Sequence, residues 1–141
     1  LFLYHAREAG LAARFHVESS GTSAYHIGEA PDPGSQRVAL ERLDVDISHQ
    51  RAQQLTARHI AEFDHLVAMD RSNLRDARRL AHSNGEDASK IVLLRDHERD
   101  PSLRASDVPD PWGYGDDHFE TVYDIVDRCT KAFLDAISNT G

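Results

Sequence analysis

Apolar residues recur at helical spacing at both ends of the chain, and between them they fall into short runs suited to strands. The clearest stripe is Val122, Val126, Cys129, Phe133 and Ile137. These positions step by three or four residues, so one face of a long helix must meet a core. Residues 1–10 read as the end of another helix: Leu1, Leu3, Tyr4, Ala6 and Ala9 are apolar, and Gly10 is placed to take the left-handed stop conformation. No Ser, Thr, Asp or Asn precedes Leu1 and there is no initiator Met, so the sequence is expected to start inside an element.

Between these ends, Phe15-His16-Val17-Glu18 alternates like a short strand and is followed by the polar loop Ser19-Ser20-Gly21-Thr22-Ser23. Asp32-Pro33 offers an N-cap and a first-turn proline to a helix with Val38, Ala39 and Leu43 on its apolar face. Thr56 is expected to cap a short helix through Phe63. His65-Leu66-Val67-Ala68-Met69 reads as a buried strand running into Asp70, and Ser72 as the cap of a helix carrying Leu74, Ala77 and Leu80. Ile91-Val92-Leu93-Leu94 is the next strand.

Strands alternating with helices imply an α/β fold with a mainly parallel sheet, in which right-handed crossovers put helices on both faces. Ligands in such folds sit beyond the carboxyl ends of the strands, so the loops after Val17, Met69 and Leu94 are where chemistry is expected. The Pro-containing, acidic segment 100–117 is too long and irregular for a mere connector and is a candidate functional loop.

Composition narrows the functional classes. A chain of 141 residues, 40% hydrophobic and 28% charged, fits one globular domain. Its formal charge is −8, and its basic residues read as scattered rather than gathered on one helix face, which argues against nucleic-acid or anionic-membrane partners. Cys129 is the sole cysteine, so no internal disulfide forms, which suits a reducing cytoplasm. No apolar run is long enough to span a bilayer. The nine histidines show no metal-ligand spacing, no Gly-rich nucleotide loop is present, and neither metal nor cofactor is expected.

Three segments taken together resemble the low-molecular-weight protein-tyrosine phosphatases: residues 18–28 (Glu-Ser-Ser-Gly-Thr-Ser-Ala-Tyr-His-Ile-Gly) with Pro31-Asp32-Pro33, residues 64–74 (Asp-His-Leu-Val-Ala-Met-Asp-Arg-Ser-Asn-Leu), and residues 110–123 (Asp-Pro-Trp-Gly-Tyr-Gly-Asp-Asp-His-Phe-Glu-Thr-Val-Tyr). The resemblance covers essentially the whole chain. It implies one domain over 1–141 with the three-layer, phosphotyrosine protein phosphatase I-like fold. Its sheet is mainly parallel and four-stranded, flanked by helices, and its first strand and C-x5-R phosphate loop fall outside this sequence.

The resemblance also implies a reaction. The family's missing cysteine attacks phosphorus, while Asp110, in the position of the family's acid, protonates the departing phenolate and later activates water. Without the resemblance, Asp110-Pro111 would read as the opening of a turn. Tyr25 and Trp112 fall at the family's aromatic wall positions and would bind the ring, although Tyr25 stands where Trp is usual and Gly113 replaces a common second aromatic. Ser19 resembles the serine that supports the phosphate loop, and loop capping is its rival role. Asp70 and Asn73, at a strand end and helix start, read equally as site residues and as caps. The implied partner is a phosphotyrosine-containing protein or a small aryl phosphate, and residues 1–141 alone are expected to be inactive. Two alternatives stand beside this: an inactive phosphatase-like binding module, and an arsenate reductase of the same fold, which would need further cysteines that residues 71–90 lack.

Overall fold

The computed structural model describes residues 1–22, 28–31, 33–109 and 116–138. The helices are α1 (Phe2–Glu8), α2 (Pro33–Leu43), α3 (Ala57–Glu62), α4 (Arg71–Ser83) and α5 (Asp116–Ser138), and the strands are β1 (Leu66–Ala68) and β2 (Ile91–Leu93). β1 and β2 pair in parallel with Leu66 opposite Ile91, Val67 opposite Val92 and Ala68 opposite Leu93. Helix α4 is the crossover between them, which is the βαβ arrangement anticipated for this α/β chain.

Two apolar clusters lie on opposite faces of the strands. Ile60, Ala77, Ala81 and Ile91 join α3, α4 and β2, with Leu66 packed against them. Leu94, Val108, Ile125 and Cys129 join α5 to the other face, with Val67 packed there. Leu66 and Val67 therefore point oppositely, as successive strand residues do. Helices α1 and α2 pack on α5, completing that outer layer. Phe133 of α5 is a meeting point: its ring centroid lies 5.7 Å from Phe2, 5.7 Å from His65 and 5.0 Å from His97.

Local signals explain several boundaries. Gly10 has φ +73°, the left-handed value anticipated for the end of α1. Thr56 caps α3 through a reciprocal pair in which its hydroxyl accepts from the His59 N–H and its own N–H donates to His59 Nδ1 at 3.0 Å. The cap of α4 is Asp70, not Ser72: the Asn73 N–H donates to Asp70 Oδ1 at 2.6 Å, and Ser72 lies inside the helix.

Residues 15–18 differ from expectation as well. They are not a ladder strand, and Val17 is 40% exposed. Alternation alone does not make a sheet; a neighbouring strand must supply the hydrogen bonds. Among the described residues, strand pairing in this region is limited to an isolated parallel bridge between Gly21 and Gln54, where the Gly21 N–H donates to Gln53 O at 2.9 Å and the Leu55 N–H to Gly21 O at 2.7 Å. Among the described residues, no helix is long and apolar enough to cross a membrane.

Candidate active site

Three segments converge at the carboxyl end of β1. The loop at 18–22 arrives from the Gly21 bridge, and its Thr22 hydroxyl donates to Asn73 Oδ1 at 3.1 Å. Asn73 in turn is oriented by the Asp70 cap. The third segment is the chain leading into residue 110: the Val108 N–H donates to Met69 O at 2.8 Å, and Asp107 Oδ1 accepts from the Arg71 N–H at 2.8 Å and from Arg71 Nε at 3.1 Å. These Arg71 bonds, the backbone one foremost, hold the Asp107 carboxyl below its usual value. The start of α4 thus serves as a clamp on both loops.

Of the residues singled out from sequence, Asp110, Tyr25 and Trp112 lie outside the described residues, as do Asp32 and Gly113. Ser19 is exposed, and its carbonyl accepts from Gln53 Nε2 at 2.9 Å. Of the two residues at the helix start, Asp70 takes the capping role, and the Asn73 side chain ties the 18–22 loop to α4. Among the described residues, no three His, Cys, Asp or Glu side chains are grouped to hold a metal.

A buried ionic network behind these loops was not legible in the sequence. Glu98 is 2% exposed, and Arg128 grips it with two bonds, Nε to Oε1 at 2.6 Å and Nη2 to Oε2 at 2.9 Å. Arg95 Nε adds a third at 3.0 Å, and Arg95 Nη1 reaches on to Asp107 O at 2.9 Å. The network therefore joins α5 to the segment entering residue 110. The Arg128 bonds outweigh burial and bring the Glu98 carboxyl down to about 2. Its one advance signal was the Arg95 and Glu98 spacing of three residues; the Arg128 contact spans thirty.

Cys129 is fully buried, and burial, reinforced by the Glu98 charge, pushes its thiol up to about 11. Such a thiol is neither accessible nor ionised at neutral pH, which makes it a core residue and not a nucleophile.

Comparison with known proteins agrees with this architecture. The family model for low molecular weight phosphotyrosine protein phosphatase matches residues 1–140. The human low molecular weight phosphotyrosine protein phosphatase is 35% identical over 128 residues, covering 91% of this chain and 78% of the relative. The Streptomyces coelicolor low molecular weight protein-tyrosine-phosphatase is 33% identical over 139 residues, covering 97% and 82%. The crystal structure of YfkJ from Bacillus subtilis superposes with a TM-score of 0.86 at 29% identity, over 99% of this chain and 83% of that one. With likeness of sequence and of fold running along nearly its whole length, the chain belongs to the low molecular weight phosphotyrosine protein phosphatases, an enzyme family.

Proposed function

We propose that the protein hydrolyses phosphotyrosine through a cysteinyl-phosphate intermediate. The nucleophilic cysteine comes from a C-x5-R loop outside residues 1–141, because the sole thiol within them is the buried, protonated Cys129. In the first step sulfur attacks phosphorus, and the bond to the tyrosyl oxygen breaks. Asp110 gives that oxygen its proton, so that a neutral phenol leaves. In the second step Asp110 takes a proton from the water that attacks the cysteinyl phosphate, and inorganic phosphate is released. Tyr25 and Trp112 wall the aromatic ring, and the Ser19 hydroxyl supports the phosphate loop.

The observation that carries this reading is the family match over residues 1–140; the acid's role is assigned to Asp110 by the resemblance of residues 110–123 to the family. The bonds that anchor Asp107 and Val108 to the start of α4 support it, since a general acid needs a fixed approach.

Steady-state hydrolysis by the full-length protein tests the proposal. Asp110→Asn should lower kcat about 100-fold or more, the usual scale of general acid catalysis. The loss in kcat/KM, which reports leaving-group expulsion and not the shared second step, should be larger for phosphotyrosine than for p-nitrophenyl phosphate, whose leaving group needs less protonation. Equal losses on both substrates, or turnover by residues 1–141 alone, would refute the mechanism. Tight binding of phosphotyrosine peptides by the full-length protein without turnover would instead establish a binding module.

A further inference from the structure

Helix α4 turns Ala77 and Ala81 to the core, and the face opposite them carries Arg71, Arg75, Arg78, Arg79 and His82, all exposed. Four of the chain's sixteen Lys and Arg residues thus share one helix face, a local cluster within an otherwise scattered set, in a protein whose net charge is −8. On two other helices an arginine is neutralised within its own helix: Arg37 pairs with Glu41 at 3.0 Å on α2, and Arg58 with Glu62 at 2.8 Å on α3. Each is the i to i+4 arrangement that cancels charge within a helix.

On α4 that arrangement is absent. Among the described residues, the acids that pair with the stripe include Asp107, at 3.1 Å from Arg71, and Asp76, at 4.0 Å from Arg79. Arg71 and Arg79 stay 68% and 71% exposed despite these contacts. Arg75 reaches a hydroxyl, that of Ser72, and Arg78 a carbonyl, that of Ile91. The stripe begins beside Asp70, where the loops of the candidate active site meet, and runs about 16 Å to His82 at the helical rise. About five residues of extended polypeptide cover that length.

We propose that this face docks an acidic stretch of the phosphorylated polypeptide that the active site takes as substrate, an inference that rests on the phosphatase reading above. The active site engages the phosphotyrosine, and the arginines hold carboxylates displaced along the chain from it. An acidic overall field repels long polyanions, whereas a short acidic peptide lying on the stripe interacts mainly within one Debye length, about 8 Å at physiological salt.

Two measurements on the full-length protein test this and keep it separable from the phosphatase reading. The first is fluorescence anisotropy of a labelled five-residue Glu/Asp peptide that lacks phosphotyrosine. It should bind at low salt, weaken as salt rises, and lose affinity about tenfold or more in R75E/R79E, where attractions become repulsions. R75Q/R79Q should give a smaller loss in the same direction and covers the case in which charge reversal perturbs folding.

The second is kcat/KM for phosphotyrosine peptides with acidic or with Gly/Ser flanks. R75E/R79E should depress the acidic substrate selectively and leave p-nitrophenyl phosphate unchanged. Absence of turnover by the wild type would sink the phosphatase reading while the anisotropy still judges the stripe. Unchanged peptide affinity in both variants overturns the docking proposal. So does tighter, stripe-dependent binding of a single-stranded DNA oligonucleotide of equal charge, which would make the face a nucleic-acid site.

Discussion

Replacing Glu98 with Gln keeps the shape of the side chain but removes the charge that Arg128 and Arg95 share. The carboxyl falls from an ordinary 4.5 to about 2 in the folded protein. At about 1.4 kcal/mol per pH unit, that gap corresponds to about 3 kcal/mol of folding stability. Glu98 itself is almost fully enclosed, but the Arg128 side chain is 47% exposed. Solvent screening on that side lowers the figure to about 2 kcal/mol. Because the folded value is depressed, the contribution is complete above pH 4.5 and drains away as pH falls toward 2. Urea unfolding of wild type and Glu98→Gln should therefore differ by about 2 kcal/mol at pH 7, with the gap narrowing at pH 4 and again at pH 3. Equal stabilities at pH 7, or a gap that stays constant to pH 3, would refute the reasoning. Arg128→Ala should cost less than Glu98→Gln, since Arg95 continues to neutralise the buried carboxylate.

Three further outcomes are expected. Gly34→Ala should destabilise the protein by about 1–3 kcal/mol, because a Cβ there would sit 2.6 Å from the Phe119 ring; a gain in thermal stability, as helix propensity alone would give, would contradict the close approach of α2 to α5. Asp70→Ala should cost about 1 kcal/mol in urea unfolding while Ser72→Ala costs close to nothing, and the reverse order would place the α4 cap where the sequence first suggested it. In residues 1–141 the Cys129 thiol should resist Ellman's reagent at pH 8 until denaturant is added, and prompt reaction in the native state would show that the α5 core opens.

Elements whose signals are local were legible in advance. The α5 stripe, the Thr56 cap and the Gly10 stop each depend on residues within a turn or two of one another, and each lies where its sequence implied. Distinctions that depend on distant partners were not. Met69-Asp70-Arg71-Ser72-Asn73 offers two good capping side chains two residues apart, and the turn at the end of β1 selects the earlier. Residues 15–18 alternate like a strand but have no ladder to join. Glu98 sits in the polar run Asp96-His97-Glu98-Arg99-Asp100, which pattern alone assigns to solvent; it is buried because α5 brings Arg128 to it. At the site, the clamp made by Thr22, Asn73 and Asp70 was half visible, as two residues at a helix start whose tie to a loop fifty residues earlier no periodicity encodes.

The aromatic junction at Phe133 has a practical corollary. One ring touches the helix that opens the chain, the residue just before β1 and the turn just after β2. A fluorine introduced at its para position would carry a chemical shift sensitive to all three neighbours. A single resonance would then register whether the terminal helix, the sheet and the turn come apart together or in sequence as the protein is warmed.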